Sequence, residues 1–306
     1  MSNFLASFDA SLLNSLFRFT TPVLLAALGG ILCDRVGLFN IALEGMILTG
    51  AFAAIVGDYF SGSALIGVLS GCLAGALLAA IFGFLSVSLK GDVVVLGIAT
   101  NLLASGLTAF LLKAIFHVQG AFMDPRIVGL DTINIPILQN IPVLGPLFSG
   151  QTILVYLSWL LLGLVYIVLF RTPLGLRMRG IGEQPLAAET LGVNVNGLRY
   201  LAVVLSGVFC GLAGAQLSVG IVNVFVQDMS AGRGWIAVVA VMLGQSHPLG
   251  VLIASVLFGF ADSLGFRLQG LGLPSQFTGM LPYVVTLLAF LIIRARQKRQ
   301  RSALTL

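Results

Sequence analysis

The chain has 306 residues, of which 58% are hydrophobic and only 9% charged, with a formal net charge of +5. A soluble domain carries roughly 25% charged residues, so sixteen bases and eleven acids are too few to coat a soluble fold of this length. A mean hydropathy of +1.07 agrees, and the bilayer is the main solvent of this protein. The apolar runs are long and continuous rather than alternating, which excludes a membrane β-barrel and predicts an all-α polytopic membrane protein with no soluble domain.

From the N-terminus, Leu12, Leu13, Leu16 and Phe17 form a stripe set against Ser11, Asn14, Ser15 and Arg18. An interfacial helix and an extension of the first span both fit this pattern. No basic stretch followed by an apolar one and a small-residue cleavage site opens the chain, so no cleavable signal peptide is expected. Phe19–Cys33 is apolar but short. Val36–Gly57 carries one charge, Glu44. Ser63–Leu89, Val93–Leu112, Gln151–Phe170, Tyr200–Gln227, Gly234–Ala261 and Leu268–Ile293 carry none. A span needs about 20 apolar residues, so most of these runs qualify.

Basic residues set the expected orientation. Arg171, Arg177, Arg179 and Arg199 share one loop, and Arg294, Arg296, Lys298, Arg299 and Arg301 crowd the tail. Both are placed in the cytoplasm by the positive-inside rule. Lys90 and Asp92 lie in a turn on that same side, and 113–150 falls outside. The tail stays inside only if Gly234–Ala261 makes two passes. Gln245, Ser246, His247 and Pro248 interrupt that run, and proline stops a helix. Two short helices joined by a polar hairpin are expected, giving about nine spans, within a range of eight to ten, and an external N-terminus. The chain reads as a single membrane domain over 1–306, with 171–199 a cytoplasmic loop, 113–150 an external loop and 294–306 a basic cytoplasmic tail.

Gly71-x-x-x-Gly75 and Gly207-x-x-x-Gly211 put small residues on one helix face, which permits close helix contact. Glu44 is the one acid deep in an apolar run, and Asn40 lies one turn earlier on the same helical face. With Asn101 they either line a polar path or bond helices together; Gln216 and Asn223 are weaker candidates. The three cysteines, Cys33, Cys72 and Cys210, lie in apolar runs and imply no disulfide framework. His117 and His247 have no metal-site spacing, and the basic residues mark topology rather than a nucleic-acid surface. No HExxH, GxSxG or paired aspartates occur, and the carboxylates Glu183 and Glu189 sit in the basic loop, so an enzyme is disfavoured and no cofactor is implied.

Within that loop, Pro185 suits a first helical position and Gly192 the residue past a helix end, with Glu183 and Gln184 just before it. A two-turn surface helix over 185–191 is predicted. Its small apolar face of Leu186, Ala187, Ala188 and Leu191 fits a groove on a partner; a linker lying on its own protein is the other reading.

These segments carry a resemblance. Gly37–Ala51 (GLFNIALEGMILTGA), Gly91–Asn101 (GDVVVLGIATN) and Gly182–Gly192 (GEQPLAAETLG) resemble signatures of bacterial ABC-transporter permeases of the simple-sugar, nucleoside and branched-chain amino acid group. The likeness runs from about Leu16 to Ile293. Gly232–Gly250 is similar to the nucleoside-uptake permeases and lacks the doubled glycines usual in ribose permeases. The resemblance implies an importer in the bacterial inner membrane. Two permeases, here a heterodimer, form the path; a cytoplasmic ABC ATPase drives it; an extracytoplasmic substrate-binding protein delivers the solute. It places Gly182, Glu183, Pro185, Ala188 and Gly192 at the coupling motif, and makes Asn40, Glu44 and Asn101 candidates for the path. A missing P-loop fits a partner-borne ATPase. A simple sugar or branched-chain amino acid remains open as solute, and a secondary transporter is disfavoured because Glu44 alone could serve an intramembrane ion site.

Overall fold

The computed structural model describes residues 10–133, 149–270, 280, 284 and 285. In chain order the helices are α1 (Ala10–Asp34), α2 (Leu43–Ser61), α3 (Ala64–Gly83), α4 (Val93–Phe116), α5 (Ile153–Arg171), α6 (Pro173–Glu183), α7 (Pro185–Thr190), α8 (Val195–Leu217), α9 (Arg233–Leu243) and α10 (Pro248–Gly270). Phe84–Ser88 and Ser218–Val222 extend α3 and α8 as π-helical turns. Two short antiparallel ribbons complete the described residues. β1 (Ala121–Phe122) pairs with β4 (Phe225–Val226), and β2 (Thr132–Ile133) with β3 (Gln151–Thr152).

Among the described residues seven helical stretches are long and apolar enough to cross a membrane, and α9 is a shorter apolar helix. Local chemistry sets their ends. Asp92 accepts from Val94 N (2.9 Å) and Val95 N (3.0 Å) to start α4. Asn194 accepts from Gly197 N at 2.9 Å to start α8. Each side chain satisfies amides that the first helical turn leaves free. Gly62, at φ +66°, ends α2 in the left-handed region, which lets the chain reverse directly into α3.

Several expectations are revised. Residues 10–34 form one helix, so the N-terminal stripe extends the first span. Residues 36–42 are not helical, so Asn40 does not share a helical face with Glu44. The chain there is buried in protein, which is the condition under which irregular backbone survives at membrane depth. The break at Gly244–His247 divides Gly234–Ala261 as anticipated, but only α9 is short; α10 has 23 residues. The basic tail 294–306 and residues 134–148 lie outside the described residues. So does most of the last expected span, 268–293: only its first three residues, at the end of α10, and 280, 284 and 285 are described.

The core is built around α1, α2, α3 and α8. Leu25, Leu28 and Ile31 of α1 are fully buried, whereas Leu102 and Phe110 of α4 are 70% and 67% exposed. The two predicted glycine stripes face each other: Gly75 abuts the Gly207 carbonyl and Gly211 the Gly71 carbonyl. Gly50 of α2 joins them, where an added Cβ would lie 2.6 Å from Gly211 Cα. Backbone-to-backbone contact leaves no room for a side chain, and it supplies the dispersion energy that membrane helices need because lipid removes the hydrophobic drive.

Gly75→Val is expected to destabilise the protein by about 3 kcal/mol through overpacking against rigid backbone. Gly106→Val is the control, because a Cβ there meets nothing within 4 Å. Thermal unfolding in detergent checks this; equal melting temperatures for the two variants would contradict the packing.

Candidate functional site

Two irregular segments enter the helical layer from opposite ends and meet. Residues 35–42 start beside α6, where Gly182 packs on the Arg35 carbonyl and Arg199 Nε donates to Val36 O at 3.3 Å. They reach the middle of α8, where Asn40 Nδ2 donates to Ser206 Oγ at 3.1 Å. Residues 223–232 start at the β1–β4 ribbon and descend to the first turn of α9.

The meeting point is Glu44, in the first turn of α2. Its Oε1 accepts from Gly232 N at 2.8 Å and its Oε2 from Gly234 N at 2.6 Å. The carboxylate therefore caps α9, satisfying free amides and facing the positive end of the helix dipole. Gly234 must be glycine, since a Cβ would overlap the Glu44 backbone. Asn101 of α4 locks the other side. Its Oδ1 accepts from Gly45 N at 2.8 Å and its Nδ2 donates to Ile41 O at 3.0 Å. Asn40 Oδ1 accepts from Ala42 N at 2.9 Å. Asn40, Glu44 and Asn101 are thus brought together, and each hydrogen-bonds the backbone that turns into α2 or α9.

Four further charged residues emerge that composition did not single out. Asp58, fully buried at the far end of α2, accepts from Gly129 N at 2.9 Å and Val128 N at 3.4 Å. Arg233 opens α9 and pairs with Asp262 of α10 at 3.6 Å. Asp228, in the descending segment, accepts from Ser105 Oγ at 2.6 Å. Asp58 and Asp228 gave only the weak signal of acids at the borders of apolar runs. The Gly232-Arg-Gly234 spelling was a clearer sign of close backbone approach.

At the other end, the proposed coupling residues form a compact unit. Thr172 caps α6 through Gly175 N at 3.3 Å, with Pro173 following. Pro185 opens α7, and Gly192, at φ +77°, follows its end. Glu183 and Pro185 are exposed, as are Leu186 (77%) and Leu191 (84%). Ala188 instead faces inward, lining with Leu176, Gly180 and Val193 a cavity of about 330 Å³ between α6 and α7.

This unit meets the α9–α10 hairpin through one aromatic ring. The guanidinium carbons of Arg35 and Arg179 lie 5.6 Å and 5.0 Å from the centre of Phe170, and the His247 ring lies 4.9 Å from it. Arg35 Nε also donates to Ser246 O at 2.9 Å, and Ser246 bonds Asp34. Burial lowers the pKa of Arg35 from its ordinary value, with Asp34 opposing.

A bundle of spans broken by two irregular segments, with short amphipathic helices at one end, defines a multi-pass membrane permease. Residues 11–290 match the family described as branched-chain amino acid transport system / permease component, and the chain belongs to that family. It is 38% identical to the guanosine ABC transporter permease protein NupQ of Bacillus subtilis, over 89% of this chain and 88% of that protein. It is 37% identical to the nucleoside ABC transporter permease protein NupC of Lactococcus lactis, over 88% of each. The protein named "Putative glucose ABC transporter permease protein TsgC13" of Haloferax volcanii is 38% identical, over 87% of this chain and 80% of that protein. Among solved structures, PsaBC from Streptococcus pneumoniae in complex with Fab shares the fold at a TM-score of 0.52 and 15% identity, covering 94% of this chain and 95% of that one. The relatives are transport subunits rather than enzymes.

Replacing Glu44 by Ala leaves two amides at the start of α9 without their acceptor and is expected to cost about 2–4 kcal/mol. Hydrogen exchange should show the first turn of α9 opening, with α5 unchanged. Unaltered protection of α9 would contradict the cap.

Proposed function

We propose that this chain is one of two permease subunits of an ATP-driven importer in the bacterial inner membrane, and that the solute is a nucleoside. The observation that carries this is identity of 37–38% with the guanosine and nucleoside permeases across nearly the whole of each chain. The mid-depth chemistry supports it. Asn40 and Asn101 are neutral, Glu44 is bonded to amides, and Arg233 is paired with Asp262. Few free charges suit a neutral, hydrogen-bonding solute. A second reading, a simple sugar, rests on the glucose relative at comparable identity.

In this reading α6, α7 and the 294–306 tail face the cytoplasm, and 113–150 faces outward to a substrate-binding protein. A second, different permease completes the path. Gly182, Glu183, Pro185, Ala188 and Gly192 form the seat of the ATPase. Gly182 holds α6 against the end of α1, Pro185 and Gly192 bound α7, Glu183 is presented at the surface, and Ala188 sets the spacing of α7 from α6. Asn40, Glu44 and Asn101 shape the path by fixing the two irregular segments.

Cells expressing the importer should take up labelled guanosine, with unlabelled uridine or adenosine competing and glucose and leucine not. Competition by glucose alone would favour the sugar reading. Ala188→Trp should wedge α7 away from α6 and lower uptake at least about tenfold while ATP hydrolysis continues. Uptake and hydrolysis that stay coupled in purified, reconstituted importer would contradict this seat.

A further inference from the structure

The carboxylates of the helical layer are satisfied in different ways, and Asp34, at the very end of α1, accepts from Ser246 beside Arg35. Glu44 receives two amides, Asp58 receives two amides, and Asp262 receives Arg233. The fold itself satisfies each of them. Asp228 differs. Its Oδ1 accepts one neutral hydroxyl, from Ser105 at 2.6 Å, and its Oδ2 has no hydrogen-bond partner among the described residues. No cation lies within ion-pair distance of it among the described residues either. The residue is exposed.

Its depth makes that exposure informative. Ser105 lies halfway along the 24-residue α4, about 18 Å from the start of the helix at 1.5 Å per residue. Asn101, one turn away on the same face, binds the start of α2. A half-bonded carboxylate at that level is not stable against lipid; such groups face the bundle interior or a water-filled cavity. Asp228 also sits on irregular backbone, at φ +56°, within the segment that descends from the β1–β4 ribbon to the Glu44 cap. Irregular backbone at membrane depth is found where it is covered by protein or lines a cavity.

We propose that Asp228, steadied by Ser105, lines the solute path and accepts hydrogen bonds from ring hydroxyls of the passing solute. An ionised carboxylate only accepts, so the solute must donate. With Oδ1 steadied by Ser105, Oδ2 is free to take a hydroxyl, as from the vicinal diol of a ribose or a hexose. This inference rests on the reading of the chain as the path for a nucleoside, and the hydroxylated ring is the chemistry which that reading shares with the sugar alternative.

The test uses the complete importer, wild type and Asp228→Asn, in cells lacking other nucleoside and glucose uptake. Labelled guanosine, 2′,3′-dideoxyguanosine, glucose and 2-deoxyglucose are supplied at concentrations that saturate the binding protein. The wild type should carry guanosine faster than its dideoxy form by about tenfold or more, the worth of a hydroxyl bonded to a charged acceptor. Asp228→Asn keeps the volume and the acceptor for Ser105. It should slow guanosine and shrink that preference to under about threefold, with membrane level and ATPase assembly unchanged. An unchanged preference overturns the proposal alone. Loss of assembly assigns Asp228 to a subunit contact and overturns it too. If the wild type carries glucose and not guanosine, the nucleoside reading falls, and the glucose pair decides the hydroxyl proposal by the same criterion. Uptake of none of the four overturns both.

Discussion

The carboxylate of Glu44 is the joint on which the rest depends. A membrane interior offers no water to satisfy peptide groups, so each break in a helix has to be answered by protein. This chain makes two breaks at one depth, one before α2 and one before α9. One side chain answers both, because it belongs to the first turn of α2 and bonds the amides of α9. Asn101 and Asn40 then fix the approach to α2. Without that knot, the starts of two helices would carry orphan donors in the most apolar part of the molecule.

Around the knot the glycine faces of α2, α3 and α8 form a rigid block, since backbones in contact cannot slide without collision. The periphery is looser in chemistry. α4 and α5 present large apolar side chains outward, as lipid or a second permease demands. The short helices α6 and α7 stand at one end, and the β1–β4 ribbon at the other closes the descending segment. The result is a stiff centre with shorter elements at its ends.

Much of this was legible in the residues. The Gly-x-x-x-Gly stripes announced close helix contact without saying which helices meet, the Gln245–Pro248 interruption announced the hairpin, and Pro185 with Gly192 bounded α7. Residues 36–42 were misread because apolar composition reports burial and not backbone angles; a buried irregular segment and a buried helix have the same spelling. Glu44 was picked out as an intramembrane acid, but its partners lie 188 and 190 residues away, where no local pattern can point. Asp58 and Asp228 were overlooked because they border apolar runs, and only folding reveals that one is sealed and the other open.

The ring of Phe170 has a mechanical consequence. It is gripped by Arg35, Arg179 and His247, which belong to three different parts of the chain. The two arginine contacts are worth about 0.5–2 kcal/mol each; the histidine contributes a ring-to-ring contact. The ring contacts tolerate small rotations, while the hydrogen bonds from Arg35 to Ser246 and from Ser246 to Asp34 hold the hairpin against the end of α1. A displacement of α6 would therefore be felt at the α9–α10 hairpin through this shared ring.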